Sequence, residues 1–77
     1  MRLVIQAGMV SIEGKYSEHD KIEKVMLELS EDLSIDTSLV NDSDEDDNLT
    51  DISLPYDEDD FTIEQVRELY NKIKRGL

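Results

Sequence analysis

Cysteine and tryptophan are absent from this chain of 77 residues, and proline occurs once. Without cysteine, neither a disulfide nor a thiolate metal site can stabilise the fold. A chain this short buries a modest share of its surface and is marginally stable. We therefore expect one domain over residues 1–77 that gains stability from helix packing, a dimer or a bound partner. The lack of cysteine also suits a reducing cytoplasm, which is the expected compartment.

Long hydrophobic runs are absent as well. The longest are Leu3-Val4-Ile5 and Val25-Met26-Leu27, far shorter than the ~20 residues that span a membrane. The first residues carry no long apolar stretch and no cleavage-like site. The sequence therefore predicts neither a signal peptide nor a membrane segment.

Basic residues are missing from the middle of the chain. The protein has 20 Asp and Glu against 8 Lys and Arg, and fifteen of the acids but none of the bases fall within residues 25–66. The first 24 residues are balanced in charge, and the last eleven carry an excess of bases. Most of the net charge of −12 is thus concentrated in one block. Because contacts to phosphate need Lys and Arg, this block argues against direct binding of nucleic acid or of an anionic membrane.

The first third of the chain favours strand and then helix. Val, Ile and Leu are frequent in residues 2–12. Gly8 either separates two short strands at a turn or forms a bulge in one long strand. Gly14 is expected to end the strand. Ser17 is a suitable N-cap, and the apolar residues after it recur at helical spacing, which predicts a helix over about residues 18–32.

The middle of the chain twice alternates between apolar and polar residues. Residues 34–40 and residues 50–56 each show the period of a half-buried strand. Between them, a polar acidic loop is predicted at about residues 41–48, so the two strands are expected to pair as an antiparallel hairpin. Pro55 restricts the second strand to a sheet edge, or lies at the strand's own end.

The last predicted element is an amphipathic helix. Thr62-Ile63-Glu64-Gln65 matches a capping box with Thr62 as the N-cap, and Phe61 and Val66 are spaced for a hydrophobic staple. Gly76 is expected just past the end of this helix. The resulting order, β(β)-α-β-β-α, predicts an α+β fold: a small two-layer domain with a mainly antiparallel sheet and two helices.

Catalytic and metal-binding patterns are weak in this sequence. His19 is the only histidine, and no nucleophile or orienting group is recognisable beside it, so an exposed surface histidine is expected. The alternate aspartates of residues 42–46 have the spacing that opens a calcium loop, but Asp47 and Ser53 stand where that loop needs glycine and glutamate. We expect no enzyme activity, no cofactor and no dedicated metal site.

The acidic block is the strongest functional signal. One interpretation is a solvated loop that keeps a small protein soluble. Against it, acids also lie on predicted helices and strands, whereas a merely soluble surface mixes both signs of charge. Carboxylates fixed on a small scaffold imitate the phosphates of DNA and suit a basic cleft. The residues expected to bind such a partner are Asp36, Asp42, Asp44, Glu45, Asp46, Asp47, Asp51, Tyr56, Asp57, Glu58, Asp59 and Asp60.

Affinity for a basic partner also needs a few apolar anchors. Leu49, Leu54 and Tyr56 are the candidates within the acidic block. For Tyr56 two interpretations stay open: it is an exposed interface anchor, or it is an edge-strand residue that covers the core.

The runs Asp42-Ser43-Asp44-Glu45-Asp46-Asp47 and Asp57-Glu58-Asp59-Asp60, on a short cysteine-free α+β scaffold, resemble the small acidic DNA-mimic inhibitors that phages make. The resemblance lies in charge, size and layout and not in a motif, so no family residue is carried over. It implies a basic DNA-binding protein as partner, such as a histone-like protein, nuclease, glycosylase or polymerase, in the host cytoplasm.

The alternative is a structural or adaptor module whose acidic surface is incidental. In that case the basic residues of the last helix, Arg67, Lys72, Lys74 and Arg75, pair with the acidic face of a second copy in a homodimer.

Overall fold

The computed structural model describes residues 1–46 and 48–76, and for residues 43–46 it describes the backbone alone. Within these ranges the chain forms two short 3-10 turns, Tyr16–Glu18 and Thr37–Leu39, and six longer elements. These six are β1 (Arg2–Gln6), β2 (Met9–Lys15), α1 (His19–Asp32), β3 (Asn41–Asp46), β4 (Leu49–Pro55) and α2 (Ile63–Gly76). The fold is α+β, and the predicted order of strands and helices is confirmed.

The four strands form one antiparallel sheet in the order β1-β2-β4-β3. β1 and β2 form a hairpin in which Gln6 pairs with Met9. Gly8 lies in the turn with φ of +80°, a conformation that glycine adopts without steric cost. Of the two interpretations of residues 2–12, two strands joined at Ala7-Gly8 is therefore the one the protein adopts.

Both helices pack on one face of the sheet. α1 lies over β2 and β4, and α2 lies beside α1 and over β1. The core between the two layers consists of the inward-facing residues of both, namely Val10, Ile12, Ile22, Val25, Met26, Leu29, Ile52, Leu54, Tyr56, Phe61, Val66, Tyr70 and Ile73. The opposite face of the sheet has no helix on it within the described residues.

Gly14 does not end its strand as predicted, because β2 continues to Lys15. The absence of a side chain at Gly14 serves packing instead. A Cβ built there would lie 2.6 Å from Cδ1 of Ile22 in α1. Gly14 therefore allows α1 to approach β2 closely.

The strand predicted at residues 34–40 is wrong. Ser34 has φ of +58°, and the segment contains the 3-10 turn Thr37–Leu39. The carboxylate of Asp36 begins that turn by accepting a hydrogen bond from the Ser38 backbone N–H at 3.0 Å. An Asx turn of this kind competes with strand pairing, which explains why the alternation was misleading.

Strand β3 occupies the segment that was predicted as an acidic loop at about residues 41–48. Its backbone pairs with β4, with Asn41 opposite Ser53 and Asp42 opposite Ile52. Hydropathy gave no sign of this strand, because an edge strand satisfies its backbone through one neighbour and leaves polar side chains in water. Asp42, Asp44, Glu45 and Asp46 therefore lie on strand backbone.

The two helix starts differ in how well the sequence predicted them. At α2 the capping box is confirmed: the Thr62 N–H donates to Oε1 of Gln65 at 2.9 Å, and the Gln65 N–H donates to Oγ1 of Thr62 at 3.3 Å. At α1, Ser17 lies inside the preceding 3-10 turn and the helix begins at His19. Gly76 was expected beyond α2 but lies within it.

Candidate functional site

The expected partner-binding acids separate into two clusters, one beside the first half of β4 and one after the end of β4. The strand cluster consists of the acids of β3: Asp42, Asp44, Glu45 and Asp46. The turn cluster follows Pro55 and consists of Asp57, Glu58, Asp59 and Asp60. Asp46 pairs with Leu49, the first residue of β4, whereas the turn cluster comes after the last. Because β4 rises ~3.3 Å per residue, the two ends are roughly 20 Å apart.

The backbone is described for all four residues of the strand cluster, and the side chain is described for Asp42. The residues at positions 44–46 lie on the outer strand of the sheet, with an irregularity in register between Ser43 and Asp46. Asp47, which was also expected to bind the partner, lies outside the described residues. The strand cluster is thus an acidic sheet edge.

His19 links the strand cluster to α1. Its Nε2 lies 3.3 Å from Oδ2 of Asp42 and 3.3 Å from Oε2 of Glu23. Its Nδ1 lies 2.9 Å from Oγ1 of Thr50 in β4. The ring also stacks on Tyr16, with 5.7 Å between centroids. His19 therefore joins three elements, and the expectation of an exposed surface histidine is wrong because only about a fifth of its side chain is exposed.

The hydroxyl, imidazole and carboxylate of this group have the order of a nucleophilic relay. Thr50 does not act as a nucleophile here, because the residue is 1% exposed and a substrate cannot reach its hydroxyl. In the described part of the chain no group of three or more His, Asp or Glu is arranged to hold a metal ion. The contacts of His19 are therefore structural: Nδ1 is hydrogen-bonded to Thr50, and Nε2 lies between the carboxylates of Asp42 and Glu23.

Asp57 organises the turn cluster. Its carboxylate accepts a hydrogen bond from the Asp59 N–H at 3.0 Å, and its carbonyl accepts from the Asp60 N–H at 3.1 Å. All four acids of the cluster are exposed. The turn cluster is therefore an ordered acidic surface, at the hairpin-turn end of β1 and β2.

Tyr56 does not offer an exposed anchor beside the turn cluster. It is 6% exposed and packs against Phe61, with 5.4 Å between ring centroids. Burial raises the pKa of the Tyr56 phenol above its usual value, and the nearby carboxylate of Glu58 adds to the rise. Of its two interpretations, the core residue is the one that the fold supports. Leu54 is likewise buried.

Two further expected acids, Asp36 and Asp51, belong to neither cluster, although Asp51 is opposite Ser43 of β3. Asp36 is exposed at the start of the 3-10 turn that precedes β3, where the Ser38 N–H lowers the pKa of its carboxyl. Asp51 is paired in register with Glu13 of β2. Because its neighbours Thr50 and Ile52 face the helices, Asp51 lies on the opposite face of the sheet.

Two exposed apolar residues lie at the same end of β4 as the strand cluster. Leu49 is 51% exposed and Tyr16 is 55% exposed. The Tyr16 backbone N–H donates to the carbonyl of Asn48, which brings the two segments together. Leu49 was among the predicted anchors, whereas Tyr16 was not. The position of Tyr16 directly after a strand rich in Val and Ile was the only sequence signal that Tyr16 would lie at a sheet end.

The outer surface of α1 adds acids next to the strand cluster. Asp20, Glu23 and Glu31 recur along one side of the helix around the half-buried Leu27, where they line a shallow groove with Lys24 and Glu28. Glu23 is the member of this row that shares His19 with Asp42. The acidic surface therefore continues from the sheet edge onto α1.

No protein-family model matches this chain, and no curated protein or solved structure is similar to it. Residue roles are therefore argued from the fold alone. Within residues 1–46 and 48–76, neither α-helix is long and apolar enough to cross a membrane.

Proposed function

We propose that this protein is a DNA mimic, which binds and blocks the basic nucleic-acid-binding surface of a DNA-binding protein. The observation that carries the proposal is the order of the strand cluster. Its acids lie on an edge strand that pairs with β4, and Nε2 of His19 lies 3.3 Å from the carboxylates of Asp42 and of Glu23 in α1. A strand whose backbone is already paired when a partner arrives loses less conformational freedom on binding.

The density of charge on this surface supports the proposal. β3 carries four acids in six residues, which is about one charge per 5 Å at the usual strand rise. One strand of duplex DNA carries about one charge per 3.4 Å. The acids of α1 meet β3 at His19, which lies 3.3 Å from both Glu23 and Asp42. A line of negative charge on β3, with the exposed side chains of Leu49 and Tyr16 near its Asp46 end, suits a cleft that accepts DNA.

The charge pattern also supports a particular class of partner. A protein with a net charge of −12 is steered towards basic surfaces at a rate that falls with salt. Histone-like proteins, nucleases, glycosylases and polymerases offer such surfaces. The cytoplasm of a host cell, where these proteins act on DNA, is the compartment that the proposal implies.

Two matched variants test the proposal in a DNA-displacement assay with such basic proteins. The strand variant is D42N/D44N/E45Q/D46N, and the turn variant is D57N/E58Q/D59N/D60N. Each variant removes four negative charges. A difference in displacement between the two variants therefore shows that the position of the charges matters and not their number alone. We expect the strand variant to lose displacement and the turn variant to keep most of it.

The other outcomes of this assay are equally informative. Equal losses in both variants would mean that the partner responds to net charge and not to a defined surface. Unchanged displacement in the strand variant would contradict the proposal. Absence of displacement by the unmodified protein at low salt would favour a structural or adaptor module with an incidental acidic surface.

A further inference from the structure

The two edges of the sheet differ in how they are protected from pairing with another strand. β3 carries four acids and an irregular register, and both features discourage edge-to-edge pairing. β1 has neither. It is a regular strand of five residues with the sequence Arg-Leu-Val-Ile-Gln, and the side chains of Leu3, Val4 and Ile5 are half-buried. β1 is therefore the edge that is open to a further strand.

Of the two edge strands, β1 also carries less charge. Arg2 is the only charged residue of β1, and its guanidinium pairs with Glu13 of β2 at 3.0 Å. α2, which packs next to β1, carries four bases and two acids. β3, which carries four acids, is the other edge of the sheet, and α1 lies over the two central strands. Two copies of this chain meet with least repulsion at β1.

The charge of α2 is arranged along its length. The turn cluster and Glu64 lie at its start, and Lys72, Lys74 and Arg75 lie in its last turns. When two antiparallel strands pair about a two-fold axis normal to the sheet, every other element is also reversed in the partner. The acidic start of one α2 is then directed towards the basic end of the other.

We propose that the protein forms a two-fold dimer in which β1 of each copy pairs antiparallel with β1 of the other. The product is a continuous eight-stranded sheet, with the α2 helices flanking the new pair. The strand clusters occupy the two outer edges of that sheet. The dimer is independent of the proposed function, because it uses the opposite edge of the sheet.

A matched pair of substitutions tests the dimer. Val4 and Asn41 belong to one row across the sheet, Val4–Ser11–Ser53–Asn41, and lie on its two edge strands. V4K and N41K each add one positive charge to that row, at opposite edges. Sedimentation equilibrium over a range of concentrations is expected to give twice the 8.9 kDa chain mass for the unmodified protein. The same doubled mass is expected for N41K, and the single-chain mass for V4K.

Hydrogen exchange on the unmodified protein gives a second measurement that does not depend on a folded V4K variant. In β1, the amides directed away from β2 are expected to become protected as concentration rises and dimers form. A single-chain mass at all concentrations would overturn the proposal. So would a dimer of V4K, or β1 amides that exchange at the same rate at every concentration.

Discussion

At the scale of single residues, Tyr70 contributes its ring to the core and buries its hydroxyl there as well. The residue is 6% exposed and belongs to the core, and within the described residues its hydroxyl has no hydrogen-bond partner. Burial raises the pKa of the phenol above its usual value, and the carboxylate of Glu18 adds to the rise. The ring stabilises the core, whereas the hydroxyl does not.

Y70F is therefore expected to leave the free energy of unfolding unchanged or to increase it by up to about 1 kcal/mol. A raised pKa in the folded state means that stability is complete below the usual tyrosine pKa of about 10 and is lost as pH rises through the folded value. Urea unfolding at neutral and alkaline pH is expected to show a smaller alkaline loss in Y70F.

Y16F is the control for the Tyr70 substitution, since it removes a hydroxyl from an exposed tyrosine and keeps the ring that stacks on His19. It is expected to leave stability at neutral pH unchanged. If Y70F instead lost more than about 1 kcal/mol at neutral pH, the buried hydroxyl would have to make a stabilising hydrogen bond.

At the scale of elements, α2 begins with the capping box that the sequence predicts. Thr62 and Gln65 exchange hydrogen bonds, which satisfy backbone N–H groups that otherwise have no partner at a helix start. T62A is expected to lower the free energy of unfolding by about 1 kcal/mol. Chemical unfolding monitored by circular dichroism measures the change.

S17A is the matched control for T62A. Ser17 lies in the 3-10 turn before α1 and does not cap that helix, so S17A is expected to change stability by less than about 0.5 kcal/mol. Similar losses in the two variants would show that hydroxyl removal near any helix start has the same effect, and would contradict the assigned role of Thr62.

Elements also show where sequence reasoning succeeded and where it did not. The β1–β2 strands, both helices and β4 follow patterns of period 2 or 3.6, because each buries one face in the core. β3 buries little and is fixed by backbone pairing to β4, a long-range interaction without a hydropathy pattern. Residues 34–40 show the reverse case, since their alternation was overridden by the local hydrogen bond of Asp36.

The candidate surface was predictable in its charge but not in its shape. Position along the chain placed the strand cluster and the turn cluster in one block, whereas β4 separates them in the fold. The role of His19 depended on Thr50 and Asp42, which are distant in sequence, so no local pattern indicated it. Tyr56 was ambiguous because the same position at a strand end suits either an anchor or a core residue.

At the scale of the whole molecule, charge is distributed by element. β3 and α1 carry more acids than bases, whereas β1 and α2 carry more bases than acids. Such a distribution costs stability through repulsion between carboxylates. We propose that the two edges of the sheet have different roles: the acids of β3 bind a basic partner, and β1 pairs with a second copy.

The central claim is that this protein and DNA occupy the same surface of a basic partner. The most direct test is to titrate a partner found by displacement with the protein, by calorimetry, in the absence and presence of saturating duplex DNA at constant salt. A shared surface predicts that the apparent affinity falls as the DNA concentration rises, with no ternary complex. An affinity that stays constant, or a complex that contains partner, DNA and this protein together, would contradict the claim.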